Sequence, residues 1–248
     1  MTNLRQEDLM LEIPRGTFPG VTSVNKFGAN ADIGSGTTED VWDGGGTYSF
    51  PSTADITHLS QAVNQTAMRG ETIEVQGLNA SWELTVQTKA LDASDSTTAV
   101  ELDTPLIRIF RMKVLADVVT DQDISAKNVG AGTTYATIGA GNNQTLMALY
   151  TVPSGKTAYM TSYFYDGVEA TGKEPKSTEF KLWVADRDNG YEFQLKHEKG
   201  VSKGDSGGQH LFFPYMKINA KNDIKLTASP NSEDASVHGG FDLILVDD

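Results

Sequence analysis

The sequence predicts an all-β protein made of two β-sandwich domains, the C-terminal one jelly-roll-like, preceded by an extended N-terminal arm. Three observations carry this. From Leu146 onward the chain is a succession of short runs that alternate apolar and polar residues. The runs are separated by turn formers such as Pro153-Ser154-Gly155 and Asn189-Gly190, and helix-period patterns are weak throughout. The clearest case has Phe180, Leu182 and Val184 before Asn189-Gly190, and Tyr191, Phe193, Leu195 and His197 after it. Two period-two runs around Asn-Gly predict a hairpin closed by a type I′ turn, because that turn needs two residues at positive φ.

Residues 1–20 form the arm: Leu9, Leu11 and Ile13 alternate before Pro14, Gly16, Pro19 and Gly20 interrupt any regular element. With Phe18, these apolar side chains are the candidate contacts to a neighbouring subunit or another partner. Each contributes roughly 1.5–3 kcal/mol gross if buried on a partner. Residues 21–51 read as ordered loop around short strands, anchored by Phe27, Val41, Trp42, Tyr48 and Phe50. Residues 72–78 and 82–91 predict a second hairpin, with Trp82, Leu84 and Val86 on one face. A long strand follows over 106–115, and its alternation slips between Ile109 and Phe110, where a bulge fits. Residues 128–143 carry Gly130, Gly132, Gly139 and Gly141 with almost no charge. The domain boundary is therefore expected here: an N-terminal β domain over 21–128, a Gly-rich linker over 129–143 and a C-terminal sandwich over 144–248. Strands over 146–152, 157–165, 178–186, 191–199, 209–213, 224–229 and 237–246 would build that last domain.

A chain of 248 residues can bury a substantial core. Its 33 acidic and 20 basic residues give a net charge of −13, which repels phosphate backbones and argues against a nucleic-acid partner. There is no cysteine, hence no disulfide, thiolate metal site or cysteine nucleophile. The start has no charged segment leading into an apolar one, and no apolar run approaches about 18 residues. The expectation is a protein without a signal peptide or membrane partner, made in a bacterial cytoplasm.

Gly204-Asp205-Ser206-Gly207-Gly208 resembles the nucleophile loop of chymotrypsin-like serine proteases. A triad of Ser206 as nucleophile, His58 as base and Asp103 as orienting acid can be assembled around it. Against this, His58 follows the polar stretch 52–57 where that family has an apolar strand, and the roughly 40 residues after Ser206 show no counterpart of the family's closing strands and terminal helix. The loop is better read as a turn between strands, and no catalytic residue is assigned. His58, His197, His210 and His238 lack zinc-site spacing. Asp186-Arg187-Asp188-Asn189-Gly190 lacks the acidic twelfth position of a calcium loop, which here is His197. Neither a metal nor a cofactor is expected.

Several segments resemble virion structural proteins that recur in marine tailed phages. They are Val24-Asn25-Lys26-Phe27-Gly28, residues 39–51, residues 149–157, Phe212-Phe213-Pro214-Tyr215-Met216-Lys217, and Gly240-Phe241-Asp242-Leu243-Ile244-Leu245-Val246. None is a catalytic signature. The resemblance implies a non-enzymatic, homo-oligomeric β-protein, a trimer by analogy with jelly rolls at capsid three-folds. It would decorate the outer capsid surface of a phage particle, with the major capsid protein as partner. A different reading is a tail or fibre component that binds a host glycan on the rings of Trp42, Tyr163 or Trp183.

Overall fold

The computed structural model describes residues 9–170, 172, 174–205 and 207–248. The region expected as an extended arm contains instead one helical turn, α1 (Leu9–Glu12). Local polar contacts hold it: the Gly16 N–H donates to Ile13 O, and the Thr17 hydroxyl donates to Glu12 Oε2 at 2.7 Å. Arg15 pairs with the same carboxylate at 2.8 Å, so Glu12 gathers the turn that alternation alone does not reveal.

Fifteen strands follow among the described residues. The first eight are β1 (Val21–Ile33), β2 (Glu39–Asp40), β3 (Ile56–Gln61), β4 (Thr72–Asn79), β5 (Leu84–Ala90), β6 (Val100–Val114), β7 (Ile124–Asn128) and β8 (Thr133–Ile138). The other seven are β9 (Leu149–Thr151), β10 (Lys156–Glu169), β11 (Ser177–Asp186), β12 (Glu192–Ser202), β13 (Gly208–Ile218), β14 (Asp223–Asn231) and β15 (Ala235–Asp247). They pair antiparallel into three sheets, ordered β1-β15-β10-β13, β12-β11-β14-β2 with β9 also on β14, and β5-β4-β6-β3-β7-β8. The all-β, jelly-roll-like expectation therefore holds.

The first two sheets form the sandwich. Phe180 and Leu182 of β11 and Leu226 of β14 share one core with Met160 and Tyr163 of β10 and Phe241 and Leu243 of β15. The six-stranded sheet builds a second core from Ile73, Val75, Leu106, Met112, Ile124 and Ile138. It curls so that β6 approaches β8 without pairing to it.

The expected domain boundaries are corrected by the strand pairing. β1 pairs along its length with β15, from Val21 opposite Val246 to Ile33 opposite Ala235, so residues 21–33 belong to the sandwich. The sequence conceals this strand because Lys26 and Asn30 occupy buried positions usually filled by aliphatics. At Gly28 a Cβ would lie 2.3 Å from Ala148 N, so only glycine lets this strand pass so close to the β9 segment. The expected linker over 129–143 contains β8, which pairs with β7 as a hairpin. Its glycines serve the turns: Gly132 and Gly141 take positive φ, and Asn128 Oδ1 accepts from the Ala131 N–H. The six-stranded sheet is thus an insertion between β2 and β9.

The bulge expected beside Ile109 is present. Gln76 faces Arg111 and Gly77 faces Ile109, leaving Phe110 as the extra residue. The β11–β12 hairpin is also present, but its turn is longer than the expected two residues. Asp186 faces Glu192, and between them Asp186 caps a 3-10 turn over Arg187–Asn189 by accepting from the Asp188 N–H. Gly190 and Tyr191 both take positive φ. Asp186 outcompetes the tight turn because its side chain bonds the backbone two residues on.

Candidate functional site

β13 is an edge strand whose pairing with β10 breaks in the middle. Met160 faces Met216 and Ser162 faces Leu211. Phe212, Phe213, Pro214 and Tyr215 therefore stand opposite Thr161 alone. A proline removes a ladder donor and is tolerated at an edge, and the surplus residues swing outward as an irregular bulge. Phe212 turns inward and packs on the sandwich core. Phe213 is 98% exposed, Leu211 68% and Tyr215 44%. Single exposed apolar residues are ordinary, but a cluster on one strand marks a contact surface.

Beside this outgrowth lies a groove of about 680 Å³ across the outer face of the sheet. A ladder of side chains crosses its floor. Asn25 of β1 donates to Asp242 Oδ1 at 2.7 Å, Ser162 of β10 donates to Asp242 Oδ2 at 2.7 Å, and Gln209 of β13 donates to Ser162 at 3.1 Å. Four strands are thereby tied together beneath an apolar wall, with Asp242 the only charged residue among the described residues that line the groove.

Inside the outgrowth the two sheet edges meet through histidines. His197 of β12 and His210 of β13 stack with ring centroids 3.8 Å apart. The Tyr163 hydroxyl lies 2.7 Å from His197 Nδ1, and Phe212 sits edge-on to both imidazoles. Burial, then the neighbouring His210 and Lys199, hold the His197 pKa below its ordinary value. His197 is thus half-buried and engaged by Tyr163.

The triad candidates His58 and Asp103 lie on paired strands but engage other groups. His58 sits in β3 with Nδ1 at 2.8 Å from Thr57 Oγ1, whereas Asp103 sits in β6 and pairs with Lys89 at 2.7 Å. Asp103 thus lacks the imidazole contact that an orienting triad acid makes. Ser206 lies outside the described residues. The adjacent Gly204-Asp205 is part of the turn between β12 and β13, where Asp205 accepts from the Ser202 N–H and Glu174 accepts from the Gly204 N–H. Among the described residues no group of three His, Asp or Glu is placed to hold a metal. Trp42 and Tyr163 are buried, and Trp183 is half-buried with its indole N–H on Thr227. Two of the three rings singled out as glycan platforms are therefore packed in the cores, and Trp183 keeps part of its ring exposed.

Of the expected contact residues, Leu11 is 46% exposed, Phe18 is half-buried and Ile13 is buried against its own chain. The side chain of Leu9 lies outside the described residues. Sequence reasoning ended the β13 strand at Phe213 and missed the outgrowth. Its signal was present in Phe213-Pro214 inside an alternating run, since a proline there demotes a strand to an edge.

No family model matches the chain, and no curated protein matches it. Among solved structures it is similar to the crystal structure of infectious bursal disease virus VP2 subviral particle. The identity is 10% over 94% of this chain and 73% of that one, with a TM-score of 0.21, a likeness too slight to carry an argument.

Proposed function

We propose that this chain is a non-enzymatic structural protein of a bacteriophage virion, a homo-oligomeric decoration protein seated on the outer surface of the capsid. The observation that carries the reading is the apolar outgrowth of β13 beside its groove. A surface built from Leu211, Phe213 and Tyr215 on a braced sheet fits contact with another protein. Charge supports a contact confined to this patch. With a net charge of −13, copies and acidic neighbours repel elsewhere, and only a surface thin in charge can approach closely. The resemblance to virion proteins points the same way, since the outgrowth residues are among those that carry it. Repetition around a shell then converts weak individual contacts into firm attachment.

The test is rebinding to particles stripped of the chain. Phe213→Asp places a charge at a position that folding leaves exposed, so the variant folds, and its occupancy on particles is expected to fall at least tenfold. Occupancy equal to that of the unaltered chain would refute the assignment of this patch.

A further inference from the structure

A second depression, of about 370 Å³, opens where β1 runs beside β4, β5 and β6, and it shares Ser23, Val24 and Asn25 with the groove. Its chemistry is opposite to that of the molecule. The chain has 33 acidic against 20 basic residues, yet Lys26, Arg111 and Lys156 line this depression and no aspartate or glutamate does. Leu84, Phe110 and Leu245 supply apolar walls. Leu84 is half exposed at its mouth, on an edge strand.

Lys26 is the unusual member. Its side chain is 4% exposed, its ammonium donates to Phe110 O, and among the described residues it forms no salt bridge. An ammonium carries three donors, so two remain for a ligand. Burial, reinforced by the positive Arg111 and opposed by the carboxylate of Asp43, lowers its pKa to about 7. Buried charges are ordinarily paired; Asp43 acts on Lys26 only from beyond salt-bridge distance, so among the described residues no carboxylate contacts the ammonium directly. Arg111 reaches Asn25 O at 3.3 Å and Lys156 is already paired with Asp247 at the rim, which leaves Lys26 and Arg111 as the anion-facing pair.

We infer that this depression binds an aliphatic carboxylate, its acid group held between Lys26 and Arg111 and its hydrocarbon chain lying along Leu84, Phe110 and Leu245. A cavity of this size with apolar walls and a few convergent polar groups has the form of a small-molecule site. The site is independent of the capsid reading. A bound carboxylate favours the charged form of Lys26, so binding above about pH 7 draws a proton onto the amine. Affinity therefore strengthens as pH falls from about 9 to about 6, a range in which a carboxylate stays ionised.

Titration calorimetry with decanoate, decanol and decyltrimethylammonium, run at about pH 8 in two buffers of different ionisation enthalpy, tests this. Decanoate is expected to bind with net proton uptake and at least tenfold more tightly than the other two. Lys26→Met replaces the buried amine by an apolar chain of similar length and folds; it is expected to lose the proton uptake and at least tenfold in decanoate affinity. Leu84→Asp, at an exposed position, is expected to weaken decanoate as well. Absence of decanoate binding, equal affinity for decanoate and decanol, or undiminished binding by Lys26→Met would each overturn the inference. Particle rebinding by Lys26→Met separates this outcome from the fate of the capsid reading, because the proposed capsid contact uses Leu211, Phe213 and Tyr215, none of which lines the depression.

Discussion

Arg108 and Asp223 are both buried, and the guanidinium grips the carboxylate with two bonds of 2.8 and 2.7 Å. Tyr191 and Thr151 donate to the same carboxylate, while Arg108 lies over the rings of Trp82 and Phe50. This pair joins β6 of the inserted sheet to β14 of the sandwich. Removing one partner strands a buried charge, so Arg108→Met or Asp223→Asn alone is expected to destabilise the chain by about 3–5 kcal/mol, with joint apolar replacement much milder. Urea denaturation of the three variants checks this; single losses no larger than those of surface substitutions would contradict the buried-pair account. None of this was legible in the sequence. An arginine beside Ile107 and Ile109 reads as the polar face of a strand, and its partner lies 115 positions away. Lys26 and Asn30 concealed β1 for the same reason: pattern reading equates burial with apolarity, and polar residues satisfied inside the fold escape it.

At the scale of elements, alternation was a good guide where one face of a strand is buried. The β4–β5 and β11–β12 hairpins and the bulge at Phe110 were all visible, because period two reports directly on a half-buried ladder. Edges were read less well. On β5, Leu84 and Val86 point outward while Thr85, Gln87 and Lys89 are half-buried, so the apolar face of this edge strand is the solvent face. The β12–β13 edge carries a pH dependence. Tyr163 and Tyr165 from β10, Glu198 and Lys199 on β12, and Lys181 of β11 within 3.8 Å of Glu198 surround the stacked imidazoles. Because the folded His197 pKa is depressed, its contribution is fully present above the unfolded value of about 6.5 and is lost as pH falls below it. Amide exchange in β12 and β13, corrected for intrinsic rates, is therefore expected to quicken from about pH 7 to about pH 5 relative to β4 and β6. His197→Gln with His210→Gln should flatten that difference. An unaltered pH response in the double variant would show that the stack does not govern the edge.

For the whole molecule, the separation into consecutive domains failed because the chain enters the sandwich first, leaves it for the six-stranded sheet and returns. Glycine-rich composition marked turns of that inserted sheet and not a linker. Distant strand pairing such as β1 on β15 has no local signature, since it is specified by burial on both strands and not by any motif. The candidate surface was legible only in fragments: the segment around Phe213 stood out in the sequence, but its bulge and the braced groove exist only once β10, β13 and β15 are side by side. In the proposed role this sandwich sits on the outer surface of a capsid and meets its partner through the β13 outgrowth. A cryo-electron microscopy reconstruction of the particle tests it most directly. Repeated density for this fold is expected on the shell, with Leu211, Phe213 and Tyr215 at the contact; absence of the chain from the shell, or its presence at the tail alone, would overturn the proposed role.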